Sequence, residues 1–310
     1  MDYKRIIRNR ATREKILKIL SLVPDKQMIQ LQYRIKMGRK LDLKNPKRFT
    51  EKLQWYKLNC HMPLMRQCVD KYEVRDYVRQ SGYGDILIPI VGIYGTPDKI
   101  DYDKLPNKCV IKDTLGSGGN AVIICKNKAK LNWNAIQKQM QQWVGESISH
   151  KKGGREWPYG GNKHRILVEE FLESKPEEGG LIDYKFFCFN GKCEYVYVIA
   201  DRTVGKKAGL GIYTSDYIKL DVVRCDEKPL ERYIKKPIQY ERMLEIAHTL
   251  SKPFPEARID LYEVDGKIRF GEITFFDGSG YMTFAPDSFD EKMGEKFVLP
   301  GKTRSGVNNE

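Results

Sequence analysis

The chain has 310 residues, 41% of them hydrophobic and 11% aromatic, which suits one large domain or two to three small ones and excludes a disordered polymer. A formal charge of +14 favours anionic partners: nucleotide, nucleic acid, acidic lipid or an acidic polymer. No run of 18 apolar residues occurs and the charged start MDYKRIIRNRATREK has no signal-peptide core, so neither a bilayer span nor export is expected.

The seven cysteines contain no CxxC pair and the four histidines are dispersed. Reduced thiols in a cytoplasmic protein fit this better than a disulfide framework, and a zinc site is disfavoured.

Residues 3–40 are expected to be helical, with Ile6, Ile7, Ile16, Leu17, Ile19 and Leu20 in an interrupted apolar stripe. Residues 1–40 hold twelve Lys/Arg against three Asp/Glu. A solvated basic face is favoured over peripheral docking on an anionic membrane, and nucleic acid is disfavoured because no RNP-like aromatic motif accompanies the charge. Leu64, Cys68, Val69, Tyr72 and Val78 predict a second helix over about 64–80. Short apolar runs follow at 86–94, 109–112 and 121–125, then a helix carrying Trp133, Ile136, Met140, Trp143 and Val144 on one face. The turn-rich stretch 150–163 leads to strand-like RILVEEFL, DYKFFCFNGK and CEYVYVIA, a helix near 239–250, and the hairpin ARIDLYEV–KIRFGEITFF. The order implies an α+β fold: a helical region over 1–80, a small lobe over 81–165 and a large lobe over 166–310, with a cleft between lobes.

Two segments carry chemistry. GSGGN (116–120) joins two β-like runs, and glycines let backbone N–H groups approach phosphate closely. It lacks the GxxxxGK[ST] of a Walker loop, and a strand follows it where a dinucleotide fingerprint has a helix. A flap over a nucleotide is one explanation and an ordinary glycine hairpin the other; Lys112, at the end of the preceding strand, favours the flap. The second segment places Arg258 and Asp260 on one face of a strand and Glu272 and Thr274 on one face of the next. Asp260 and Glu272 are hard oxygen donors suited to magnesium between protein and phosphates. Whether the two faces coincide depends on the turn at Asp265-Gly266. A three-residue loop with a G1 bulge, pairing 263 with 267, is predicted, because a two-residue loop with regular pairing separates the carboxylates.

These motifs, with LKNPKRFTEKLQWYKL, VDKYEVRDYV, REWPY and VEEFL in order over about residues 30–290, resemble the ATP-grasp superfamily, most closely its TupA-like branch, named for teichuronopeptide biosynthesis. The resemblance implies two α/β lobes around a nucleotide cleft, with ATP and Mg2+ as cofactors. It implies that Lys71 and Lys112 face the nucleotide, that Gly116, Ser117, Gly118, Gly119 and Asn120 form the flap, and that Glu169, Glu170, Phe171 and Leu172 form the adenine hinge. Glu177 or Glu178 would meet the ribose. Lys185 and Arg202 would point toward phosphate or substrate carboxylate, and Arg258 would stabilise the transferring phosphoryl group. Asp260 and Glu272 would be magnesium ligands. Where many ATP-grasp enzymes have Asn this chain has Thr274, a single hydroxyl and a weaker metal ligand, so the resemblance implies either that Asp277 compensates or that a second ion is loosely held.

The implied reaction activates a carboxylate as an acylphosphate and captures it with an amine. The loop Asp277-Gly278-Ser279-Gly280 is expected to offer backbone N–H donors to the acyl group. The family name points to an acidic glycan or uronic acid, with an amine or amino acid as second substrate. A sugar phosphotransferase and a membrane-associated binding module are the competing functions.

Overall fold

The computed structural model describes residues 20–116, 121–145, 154–174, 180–201 and 208–301. The sequence assignments to residues 1–19, Ser117, Gly118, Gly119, Asn120, Glu177, Glu178 and Arg202 lie outside the described residues.

Helix α1 (Asp25–Met37) ends at Gly38, whose φ of 68° and N–H to Arg34 O close the last turn in the left-handed form that glycine tolerates. It buries Met28, Ile29, Tyr33 and Met37. Helix α2 (Phe49–Asn59) begins with Glu51 reaching back to the Arg48 N–H at 3.1 Å, half of a capping box. Its buried positions include Thr50, Glu51, Gln54 and Lys57 beside Phe49, Leu53 and Tyr56.

The predicted helix over 64–80 is two helices, α3 (Pro63–Cys68) and α4 (Val74–Gln80). Asp70 Oδ1 accepts the N–H groups of Tyr72 (2.8 Å) and Glu73 (3.1 Å), a local alternative to the helical ladder that breaks the run. Lys71 sits in that break, its own N–H donated to Thr114 O at 2.9 Å.

Strands β1 (Ile90–Tyr94), β2 (Cys109–Asp113), β3 (Val122–Cys125) and β4 (Ile166–Glu170) form an antiparallel sheet in the order β1-β4-β2-β3. Helix α5 (Trp133–Gly145) covers one face, packing Ile136, Met140 and Trp143 with Cys109, Ile111, Ile166 and Val168. By alternation Val110, Lys112, Leu167 and Glu169 occupy the opposite face. β4 therefore belongs to the small sheet, so that sheet extends past the expected boundary at 165.

The larger sheet contains β5 (Asp183–Phe189), β6 (Lys192–Ala200), β7 (Gly209–Thr214), β9 (Lys228–Pro229), β10 (Glu256–Val264) and β11 (Lys267–Thr274), in the order β11-β10-β5-β6-β7-β9. Helix α6 (Tyr240–Ser251) covers one face with Met243, Ile246, Ala247 and Leu250. The other face carries Glu256, Arg258 and Asp260 on β10, with Phe187 and Lys185 opposite the last two on β5. Phe49 of α2 closes the far end of that face against Phe187 and Phe189, ring centroids 6.2 and 5.6 Å away. Helix α7 (Ser288–Lys296) packs on α2, and β8 (Val223–Arg224) pairs with β12 (Phe284–Ala285). Burying one such aromatic contributes about 1.5–3 kcal/mol, so this cluster fixes the floor of the polar face firmly.

The β10–β11 hairpin differs from its prediction in an instructive way. Its loop has two residues, Asp265 (φ 50°) and Gly266 (φ 70°), with Val264 paired to Lys267, not the three-residue loop expected. The pairing is irregular further down: Leu261 faces Phe270 but Asp260 faces Glu272, so Gly271 is an extra residue. A bulge at Gly271 thus does what the turn was expected to do. A Cβ at Gly271 would lie 3.0 Å from Asp260 O, which explains glycine there.

Candidate active site

The bulge brings Arg258 opposite Thr274 and Asp260 opposite Glu272, while β5 sets Lys185 opposite Asp260. Arg258 is buried and donates Nε to Asp260 Oδ1 (2.7 Å), Nη2 to Asp260 Oδ2 (2.7 Å) and to Glu272 Oε1 (3.0 Å), and Nη1 to Asp277 Oδ1. Lys185 donates to Asp260 and pairs with Asp183 at 2.7 Å. Thr274 Oγ1 lies 3.4 Å from Glu272 Oε1. The sequence assignments Lys185, Arg258, Asp260, Glu272 and Thr274 therefore share one cluster.

Its two facing carboxyls differ in electrostatics. Burial pushes Asp260 up to about 6, against the pull of Arg258 and Lys185. Burial opposes ionisation of Glu272 too, yet Lys71, Arg258 and Lys185 outweigh it and hold that carboxyl at about 2. Glu272 is the more open of the pair, its side chain 40% exposed against 1% for Asp260. Burial alone would lower the Lys185 ammonium, but Asp183 and Asp260 raise it.

Lys71 links the lobes. Its Nζ donates to Gly116 O at the root of the glycine loop, and its charge is the leading one holding Glu272 ionised. Gly116 itself is required by close approach, since a Cβ there would meet the Ala121 side chain at 2.3 Å. On the open face of the small sheet Lys112 Nζ donates to Glu169 Oε2 at 2.6 Å, and Arg75 Nη1 donates to Glu169 Oε1 at 3.2 Å. Glu169 is thus a buried anchor for Lys112. Glu170 donates its N–H to Pro89 O (3.0 Å) with its side chain exposed, and Phe171 and Leu172 are half-buried.

The 277–280 loop only partly fits its expected role. The N–H groups of Ser279 and Tyr281 are already donated to Phe276 O (2.8 Å) and Gly278 O (3.1 Å). Lys57 and Gln54 of α2 hold the Ser279 carbonyl at 2.7 and 3.0 Å, and Ser279 Oγ donates to Glu156. Asp277 is buried between two arginines: Arg258, and Arg224 at 2.8 Å, a residue that sequence reasoning passed over.

A separate cavity of about 970 Å3 is lined by Arg66, Asp70, Glu73, His164 and Arg165, among others, and by none of the cluster above. There Arg165 pairs with Asp70 (3.0 Å) and Glu73 (2.8 Å), and His164 hydrogen-bonds Asp113, while Arg66 and Lys163 add further cations to the lining.

The model of the family described as TupA-like ATP-grasp matches residues 51–298. The chain belongs to the TupA-like ATP-grasp family. ATP and Mg2+ are the cofactors that come with this family. Among solved structures, the chain is similar to D-alanine–D-alanine ligase from Bacillus anthracis, at 18% identity and a TM-score of 0.43, over 67% of this chain and 57% of that one. It is also similar to an ADP complex of N5-carboxyaminoimidazole ribonucleotide synthetase, at 11% identity and a TM-score of 0.43, over 82% and 58%. The chain thus spans a little under three-fifths of either. A search of curated proteins finds no match.

Among the described residues, no group of three or more His, Cys, Asp or Glu could hold a metal ion, and no helix is long and apolar enough to cross a membrane. The pair Asp260 and Glu272 nonetheless fits this family's magnesium, because that ion takes one or two carboxylates and completes its shell with phosphate oxygens and water. Glu272, kept ionised by Lys71, Arg258 and Lys185, would supply the charge, and Asp260, facing it across the ladder, would supply the second oxygen donor.

Proposed function

We propose that this chain is an ATP-dependent carboxylate–amine ligase acting on an acidic glycan or uronic acid, with an amine or amino acid as second substrate. The observation that carries the proposal is the Asp260–Glu272 pair, placed face to face by a bulge and ringed by Lys71, Lys185 and Arg258. An enzyme of this type needs a triphosphate held by cations while its γ-phosphoryl passes to a carboxylate oxygen. The amine then attacks the acyl carbon of the acylphosphate, inorganic phosphate leaves, and the nitrogen gives up a proton to become the amide.

In this proposal Lys112, oriented by Glu169, and Lys71 hold the nucleotide phosphates from the small lobe. Asp260 and Glu272 would hold Mg2+, whose positive charge would offset that of the triphosphate. Arg258 presents its guanidinium to the transferring group, and Lys185 keeps Asp260 oriented. Ser117, Gly118, Gly119 and Asn120 cover the phosphates; Glu177 or Glu178 meets the ribose, and Arg202 the substrate. The overall charge of +14 supports an anionic acceptor.

The test incubates the protein with ATP, Mg2+ and pooled uronic acids and amino acids, reading ADP release and product mass. Free phosphate with an amide supports the proposal. A stable phosphorylated sugar replaces it with a phosphotransferase, and no ADP release with any pool defeats it.

A further inference from the structure

We infer that Arg224 and Asp277 form a latch that positions the Arg258 guanidinium for phosphoryl transfer. The inference rests on the ligase proposed above, and both are positioning residues that act through Arg258.

A guanidinium has five N–H donors in one rigid plane. Arg258 uses its Nε and both Nη2 donors on Asp260 and Glu272, and one Nη1 donor on Asp277. Among the described residues, one Nη1 donor remains for a phosphoryl oxygen. The two-point grip of Asp260 leaves the plane free to tilt about that edge. Asp277 pins the opposite corner, the one bearing the remaining donor.

Asp277 is in turn fixed from behind. Its Oδ2 accepts Arg224 Nη1 at 2.8 Å, and Arg224 is held by Asp226 through Nε (2.9 Å) and Nη2 (3.0 Å). Arg224 is carried by β8, whose pairing with β12 sets it opposite Phe284. Gly278 has φ 50°, and a Cβ there would lie 2.9 Å from Arg224 Nη2, so the loop is built to let this arginine in. Burial opposes ionisation of Asp277, but Arg224 and Arg258 hold it below the usual carboxylate range. Asp277 thus has one oxygen on each guanidinium.

The chain Asp226–Arg224–Asp277–Arg258 alternates in sign, and only Asp226 is exposed. Removing Arg224 leaves Asp277 with one partner where it had two and frees the corner of Arg258 to move. A misplacement near 1 Å costs about 100-fold in a phosphoryl-transfer geometry.

The test compares binding of Mg-ADP with binding of Mg-ADP-tetrafluoroaluminate, a mimic of the transferring phosphoryl group, by calorimetry on the full chain. Arg224→Met is expected to keep Mg-ADP affinity within about threefold of wild type and to lose about 30-fold or more for the mimic. Arg224→Lys is expected to recover most of that loss. Should Arg224→Met fail to fold, Asp226→Asn carries the same comparison with an expected loss of about fivefold for the mimic alone. Unchanged mimic binding in these variants, or equal loss for both ligands, overturns the latch. A wild type that binds Mg-ADP but gains nothing from the fluoride overturns the latch alone, whereas a wild type that does not bind Mg-ADP removes the ligase proposal with it.

Discussion

Asp260 and Glu272 stand directly opposite each other across β10 and β11, although the turn joining the strands has only two residues. Regular pairing from Val264–Lys267 would set Asp260 against Gly271 and turn Glu272 to the α6 side. One inserted glycine reverses that outcome. Gly271 is therefore as important to the cluster as the acids themselves.

Gly271→Val should show this. The added side chain meets Asp260 O at 3.0 Å and the Tyr262 ring at 3.1 Å, so the strand must shift. A loss of about 1–3 kcal/mol in urea unfolding is expected, together with weakened Mg2+-dependent ATP binding. A variant as stable as wild type with full affinity would mean that the bulge is dispensable.

Lys112 and Glu169 make a second prediction. Lys112→Met removes the cation and keeps the aliphatic stem, so ATP should bind about 10- to 100-fold more weakly with the melting temperature little changed. Glu169→Gln should weaken ATP less but also loosen Arg75, whose Nη2 bridges to Ile88 O at 2.8 Å. Equal ATP affinity in wild type and Lys112→Met, by fluorescence titration, would remove Lys112 from the nucleotide site.

Glu256 gives a pH prediction. It is fully buried, neither carboxyl oxygen has a hydrogen-bond partner among the described residues, and burial raises it well above the usual range. The native state then keeps a proton that the unfolded chain releases, so stability declines as pH rises from the ordinary carboxylate range toward the raised value. Glu256→Gln should flatten this slope between pH 5 and 8 by about one proton's worth in denaturant midpoints. Parallel slopes for wild type and variant would show Glu256 ionised in the native state.

Much of the cluster was legible before the structure because its residues alternate along two strands. Arg258, Asp260, Glu272 and Thr274 follow a period of two, and the apolar residues between them mark the opposite face. The turn was misjudged for a physical reason: Asp-Gly favours two-residue loops, and the bulge lay at Gly271, a glycine with no flanking turn signal. Helix α2 lies within the expected helical region over 1–80 but has no pattern that delimits it, because it is buried on nearly every side. Thr50, Glu51, Gln54 and Lys57 interrupt its apolar stripe; Glu51 is held locally by the Arg48 N–H, but Thr50 is satisfied by Asp290 (2.7 Å) and Lys57 by Ser279 O (2.7 Å), contacts that no local pattern encodes. Arg224 was missed likewise, since its partner Asp277 lies 53 positions away. Lys71 was assigned from family resemblance, but the break that exposes it was not foreseen; Asp70, a helix-breaking cap two residues before Tyr72, was the available signal.

Joint binding of the triphosphate's metal by Asp260 and Glu272 is decided by calorimetric titration of ATP into wild type and Asp260→Asn, each with and without Mg2+. Mg2+ is expected to strengthen ATP binding in wild type at least tenfold, and Asp260→Asn is expected to lose this gain and ADP release together, with circular dichroism and melting near wild type. An Asp260→Asn protein that still binds ATP more tightly with Mg2+ and turns it over normally would remove the metal from this pair.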